Sequence, residues 1–117
     1  MEAIINAKAM KAIGTYLERR GFEVLENGWA HGTDSVNFIA REDGDLVFVI
    51  AEIIEDRGDG LPEEKVDRAA LEKVATAYLA KSDGNADCAI RFDFVSMLVI
   101  GDSRAFLRHH RNCLSEA

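Results

Sequence analysis

Few side chains in this sequence of 117 residues have the types and spacing that enzyme or metal chemistry needs. His109 and His110 are adjacent, and a helical His109/Cys113 pair at i and i+4 could bind zinc, but no third ligand follows at a suitable spacing. Asp93 lies two residues after Arg91, which favours a structural Arg–Asp contact over catalysis. The sequence has no phosphate-binding glycine loop and no recognisable Ser/His/Asp or Cys/His triad.

The stretch 35–54 is expected to organise the fold as a β-hairpin. Its halves are Ser35–Ala40 and Leu46–Ile54, and eight of the nine residues in the second half are apolar, which is typical of a strand buried on both faces. The connection Arg41–Asp45 contains Asp43-Gly44, a strong hairpin signal. Its acidic side chains are most simply a solvated turn, because they lack the spacing of a calcium loop.

Further elements are expected on both sides of this hairpin. Apolar residues at helical spacing predict a helix over 3–20 that Gly21 ends. The tail 104–114 is compatible with a helix or a strand, and we favour the strand. The other expected elements are a short strand (22–25), a turn at Asn27-Gly28, a helix from Pro62 to about Lys81, and a strand within 88–100.

The expected order is therefore α-β-β-β-α-β-β, an α/β fold of the three-layer sandwich type with a central mixed sheet flanked by helices. The length predicts a single domain over 1–117. The net charge of −7 disfavours a dedicated nucleic-acid binder, although it does not forbid a local basic patch. Two cysteines without metal spacing, and no apolar run long enough to span a membrane, predict a cytoplasmic protein.

Short motifs in a particular order cover nearly the whole chain. They are Tyr16–Phe22, Asn27 with Trp29, Phe38–Arg41, Asp43-Gly44, Leu46–Val49, Pro62–Glu64, Ala77–Leu79 and Arg91–Asp93. Together they resemble the YraN family of bacterial proteins, which looks like a small restriction-endonuclease (PD-(D/E)xK) domain akin to Holliday junction resolvases. The resemblance implies that fold and a metal-dependent phosphodiester hydrolysis, in which carboxylates hold Mg²⁺ or Mn²⁺ and a lysine orients the attacking water.

The positions that the family uses for this chemistry carry the wrong residues here. The helix acid falls on Met10, the strand Asp on Asn37, and the Glu-x-Lys pair on Ile50 and Glu52. Carboxylates are absent at Met10, Asn37 and Ile50, and an anion, Glu52, replaces the cation. Removing even two carboxylates from such a site should weaken binding of a divalent ion by several kcal/mol. We therefore expect a nuclease fold without activity, and no cofactor. Met10 and Ile50 are expected to pack on each other and fill the vacated cleft.

Two other functions stay open at this point. Glu52 with Asp34 or Glu55 could rebuild a displaced site for Mg²⁺ or Mn²⁺, which would make the chain an active DNA endonuclease. Alternatively, the old cleft could bind a small regulatory ligand. The leading hypothesis is an interaction or assembly module with an unknown protein partner, in which Glu52 is structural.

Overall fold

The expected order of elements is confirmed. The structure is a computed structural model that describes residues 2–55, 58, 60–61, 63–81, 88–101 and 104–114. Across these residues the helices and strands follow the order α-β-β-β-α-β-β. Their bounds are α1 Glu2–Arg19, β1 Glu23–His31, β2 Asp34–Glu42, β3 Asp45–Glu55, α2 Arg68–Lys81, β4 Ile90–Ile100 and β5 Arg104–His110.

Helix α1 forms and ends as its sequence pattern predicts. Ala9, Ile13 and Leu17 recur every four residues and are buried, so they form one apolar stripe against the sheet. Gly21 follows the helix with a φ of 96°, and the Phe22 N–H donates to the Leu17 carbonyl at 3.0 Å. This six-residue closure around a left-handed glycine is a Schellman cap, and it turns the chain into β1.

The β2–β3 hairpin is also confirmed, but its turn has two residues rather than the predicted five, and Glu42 is a buried strand residue rather than part of a solvated turn. Glu42 pairs with Asp45, and both turn residues have positive φ, 51° at Asp43 and 86° at Gly44, which is the conformation that Asp-Gly favours. Burial on both faces of β3 holds only for Leu46–Val49, where no residue is more than 3% exposed. The second half of β3 is half-buried, so the prediction was too broad there.

The sheet is mixed and has a core on each face. Its order is β1-β2-β3-β4-β5, and every neighbouring pair is antiparallel except β3–β4, which the α2 crossover makes parallel. The α1-side cluster contains Ile13, Leu17, Phe38, Val49 and Val95 among its buried residues. The α2-side cluster contains Val36, Ile39, Phe48, Leu71 and Val74. The structure is therefore helix, sheet and helix in three layers, as predicted.

Two further predicted boundaries were wrong. Asn27-Gly28 is not a turn, because β1 runs through it with Gly28 at a φ of 90°, and the chain reverses at residues 32–33 instead. The second helix begins at Arg68 rather than near residue 62, since the Asp67 carboxylate accepts the Ala70 N–H at 3.1 Å and caps it. The predicted helix-start residue, Pro62, lies outside the described residues.

The tail prediction was correct, because residues 104–110 form the strand β5 against β4. His109 and Cys113 therefore do not share a helical face, which removes the i, i+4 arrangement considered for zinc. In the described part of the chain, neither α1 nor α2 has the length and apolar character needed to cross a membrane.

Candidate functional site

The structure brings Met10 and Asn37 to one groove. Both line an open depression of about 590 Å³ between α1 and strands β1 and β2. Lys11 of α1 and Asn27 of β1 line it too, so the groove combines one cation with two amides. Met10 is half-buried and packs against the α1-side cluster, which leaves the groove with an apolar floor on that side.

At Asn37, strand β2 breaks the regular alternation of its side chains between the two faces of the sheet. Val36 belongs to the α2-side cluster and Phe38 to the α1-side cluster, so the usual alternation is broken between them. Because Asn27 pairs with Phe38 and Trp29 with Val36, Gly28 stands opposite Asn37. Beyond the Phe38–Val49 pair, the Asn37 side-chain oxygen accepts the Ala51 N–H at 2.7 Å and joins β2 to β3 in place of the backbone ladder.

The other two positions that the family resemblance indicated, Ile50 and Glu52, lie on β3. Ile50 packs against the α2-side cluster, whereas Met10 packs against the opposite one. The predicted contact between Met10 and Ile50 is therefore wrong, because adjacent residues of a strand face opposite sides and Ile50 points away from α1. Glu52 is half-buried two residues further on, and its register partner is Ser96 in β4.

The carboxylates proposed for a displaced metal site are spread along the strands. Asp34 begins β2 opposite His31, Glu52 is inside β3, and Glu55 ends β3 opposite Val99. Within the ranges that the structure describes, no group of three or more His, Cys, Asp or Glu side chains is placed to hold a metal ion. These three acids therefore do not form a ready coordination site in this arrangement.

A buried ionic cluster around Asp93 was only partly foreseen. Asp93 is fully buried, and Arg91 donates to both of its oxygens, from Nε at 2.8 Å and from Nη2 at 3.0 Å. The predicted Arg–Asp contact is thus confirmed. His109 Nε2 lies 2.8 Å from Asp93 Oδ2, and the Asn112 N–H donates to Oδ1 at 2.9 Å. Each carboxylate oxygen of Asp93 therefore has two hydrogen-bonding partners.

The cluster extends from Asp93 to three more elements. Tyr16 Oη of α1 lies 2.9 Å from His109 Nδ1. If His109 donates through Nε2, its Nδ1 accepts the Tyr16 hydroxyl proton, so a continuous hydrogen-bonded chain joins α1, β5 and β4. On the other side, Arg91 Nη2 donates at 2.8 Å to Glu42 of β2, which Arg111 also contacts.

The charges in this cluster shift the proton equilibria of its carboxyl groups. Burial alone raises the pKa of Asp93, but the hydrogen bonds from His109, Arg91 and the Asn112 N–H outweigh it and lower that pKa to about 2. The hydrogen bond from Arg111 lowers the pKa of Glu42 in spite of its burial. Both acids therefore stay ionised at neutral pH and hold Arg91 and Arg111 by charge as well as by hydrogen bonds.

Cys113 lies next to this cluster, and its thiol has low reactivity. Burial, with the neighbouring charges of Asp93 and Glu64, raises the pKa of the thiol to about 11. Both Cys88 and Cys113 are free thiols. A thiol with so high a pKa is protonated at neutral pH and is a poor nucleophile or metal ligand.

Sequence comparison identifies the family. The family model described as uncharacterised protein family UPF0102 matches residues 11–97. The chain belongs to UPF0102. This membership confirms the resemblance to the YraN family that the sequence motifs indicated. Three of the predicted site positions, Asn37, Ile50 and Glu52, lie inside the matched range, whereas Met10 and strand β5 lie outside it.

UPF0102 relatives match over most of their length. A UPF0102 protein of Roseiflexus castenholzii is 37% identical over 87 residues, which cover 72% of this chain and 70% of the relative. One from Beutenbergia cavernae is 32% identical over 110 residues, 92% of each chain. A third, from Persephonella marina, is 30% identical over 86 residues, 71% of this chain and 73% of its own. The names of these relatives state no activity.

Proposed function

We propose that this UPF0102 protein has a nuclease-like fold without catalytic activity, and that it acts as a protein-interaction or assembly module. A nuclease of the kind that the family resemblance implies needs several carboxylates gathered around one divalent ion. The positions concerned, Met10, Asn37, Ile50 and Glu52, retain one carboxylate, and it stands where a cation is expected.

The observation that carries this proposal is the hydrogen bond of Asn37. Its side-chain oxygen is held by the Ala51 N–H at 2.7 Å, so it serves as a bridge between two diverging strands. An amide does this without charge, and its neutrality removes the attraction that a carboxylate at the same place would have for a cation. This bridge between β2 and β3 explains why an Asn stands at position 37 without assuming that it binds a ligand.

The apolar positions support the same proposal. Met10 contributes a thioether to the groove, and Ile50 is packed among hydrocarbon side chains on the α2 side of the sheet. Neither side chain offers the hard oxygen ligand that Mg²⁺ or Mn²⁺ requires. A divalent ion would therefore find too few oxygen ligands at these positions to be held there, and only a held ion could activate a water.

A cleavage assay tests the proposal. The purified chain is incubated with Mg²⁺ or Mn²⁺ and labelled branched, single-stranded and duplex DNA, and product is measured over time. We expect no turnover with any substrate. Metal-dependent cleavage that disappears in Glu52→Ala but persists in Glu72→Ala, a matched change at an exposed position of α2, would disprove the proposal and favour the displaced nuclease site.

The open groove favours a second candidate, a regulatory site for a small ligand. Lys11, Asn27 and Asn37 place a cation and two amides around about 590 Å³ of open space. A thermal-shift screen with nucleotides and small anions tests it, because a ligand at a hundred times its dissociation constant adds about 2.7 kcal/mol to the stability. A shift that Lys11→Ala abolishes supports this candidate, and no shift across the screen rejects it.

A further inference from the structure

The two edges of the sheet differ in their readiness to pair with another strand. At one edge, β1 carries a register shift between Val24 and Glu26 and a left-handed Gly28, both of which interrupt regular pairing. At the other edge, β5 pairs with β4 without any shift from Arg104 to His110. Among the described residues, no strand pairs with the outer side of β5. Its outward backbone groups therefore form a regular template for one more strand.

Alternation divides the side chains of β5 between the two faces of the sheet. Leu107 packs against the α1-side cluster and His109 contacts Tyr16, so these residues face α1. The opposite face carries four exposed side chains in alternating positions, namely Arg104, Phe106, Arg108 and His110. Phe106 is 62% exposed and stands next to the buried Leu98 of β4. An apolar side chain on an added strand would cover it.

The charge of this edge contrasts with the charge of the chain. Strand β5 contains Arg104 and Arg108 but no Asp or Glu, whereas the chain as a whole has a net charge of −7. Glu64 contacts Arg108 at 3.4 Å and His110 at 2.6 Å. The Arg108 side chain is 42% exposed, so a second carboxylate can approach it from solvent while it keeps its contact with Glu64.

We propose that the outer edge of β5 binds an extended acidic peptide of another protein, which adds a sixth strand to the sheet. The recognised pattern is acid-x-apolar-x-acid, because cross-strand neighbours pair on the same face. Its apolar residue covers Phe106, and its acids lie beside Arg104 and Arg108. The inference rests on the proposed function as an interaction module and names the surface and the chemistry of the partner.

A second copy of the chain fits this edge less well. Antiparallel pairing of two β5 strands centred on Leu107 would place Phe106 opposite Arg108 and Arg104 opposite His110. Since residues 104–114 contain no Asp or Glu, neither of these pairs sets an acid of one copy against an arginine of the other. An acidic segment instead forms attractive cross-strand pairs at Arg104 and Arg108.

The test uses a fluorescein-labelled peptide, Ser-Glu-Thr-Phe-Thr-Glu-Ser with blocked ends, and fluorescence anisotropy at low ionic strength. We expect saturable binding that weakens as salt is added, because exposed charge pairs are screened. The same peptide with Lys in place of Glu should not bind. A third peptide, N-methylated on alternate amides, should lose binding, because it cannot form the backbone ladder with β5.

Matched protein variants locate the site. The double change Arg104→Glu/Arg108→Glu should weaken binding about tenfold, since two attractive pairs become repulsive. Lys8→Glu/Lys73→Glu makes the same change in net charge at exposed helix positions and should bind as the wild type does. Phe106→Ala should weaken binding about threefold through the lost cross-strand contact. Amide hydrogen exchange should slow within residues 104–110 when the peptide is bound.

Three results would overturn the inference. They are no binding of the acidic peptide to the folded protein, equal binding of the lysine and glutamate peptides, or equal weakening by both double variants. A dimer in light scattering that Phe106→Glu dissociates would instead make a second copy the occupant. DNA cleavage in the nuclease assay would refute the proposed absence of activity but would leave peptide binding at β5 to be judged by these measurements alone.

Discussion

Replacing Asp93 with Asn should change how the stability of the fold depends on acid. The carboxyl group of Asp93 has a pKa of about 2 in the folded chain, against 3.8 for the unperturbed group. Because the folded pKa lies below the unfolded one, ionised Asp93 stabilises the fold at pH above about 4. That stabilisation is lost as the pH falls from 4 towards 2.

The size of this stabilisation follows from the lowered pKa of Asp93 and from the burial of its carboxylate. A pKa difference of nearly two units corresponds to about 2 kcal/mol of free energy of unfolding. Since Asp93 is fully buried, solvent screening does not reduce this figure much. At pH 7, Asp93→Asn should cost more, about 3 kcal/mol, because it leaves the Arg91 guanidinium and His109 with an uncharged neighbour.

Urea unfolding followed by far-ultraviolet circular dichroism at pH values from 7 down to 2 measures both effects. The wild type should lose about 2 kcal/mol more than Asp93→Asn between pH 4 and 2. Asp45→Asn is the matched control, because Asp45 also lies near Arg91, at 3.8 Å, but its side chain is 37% exposed. It should cost less than about 1 kcal/mol. Parallel stability curves for the wild type and Asp93→Asn would refute the reasoning.

Three smaller predictions each concern one side chain. Asp67→Ala should cost about 1 kcal/mol in urea unfolding through loss of the α2 cap, and Asp67→Asn should restore most of it. Asn37→Ala should cost about 1–3 kcal/mol, because the Ala51 N–H loses its acceptor, and a cost no larger than that of exposed Ser35→Ala would contradict this. In a Cys88→Ser background, Cys113 should react with a disulfide reagent at pH 8 about tenfold more slowly than an unstructured cysteine peptide, and an equal rate would show that its thiol is not buried.

The sequence predicts those elements whose signal is local. The β2–β3 hairpin follows from the Asp-Gly turn and its apolar flanks, and α1 follows from a buried stripe closed by Gly21. The Arg91–Asp93 contact also follows from neighbours two positions apart on one strand. In each case the residues that decide the structure are close together in the chain.

Features that depend on distant contacts were missed. Asn27-Gly28 has the composition of a turn, but pairing with β2 keeps it in a strand. The partnership of His109 with Asp93 and Tyr16 depends on three separate elements meeting. Met10 and Ile50 were expected to touch, and only the orientation of β3 reveals that they face opposite layers. The family resemblance indicated these two positions, but it contains no information about which side chains they contact.

Among the strands that the structure describes, one pair, β3 with β4, is parallel, and this has a consequence for how the chain folds. Residues 46 and 90 must meet before this pair can form, and the α2 crossover lies between them. Closing so long a loop costs entropy before any contact compensates it, whereas the β1–β2–β3 meander needs only short turns. During synthesis the meander can therefore form while the hydrogen-bonding edge of β3 is still bare, and the nascent chain is most prone to aggregation until β4 covers that edge.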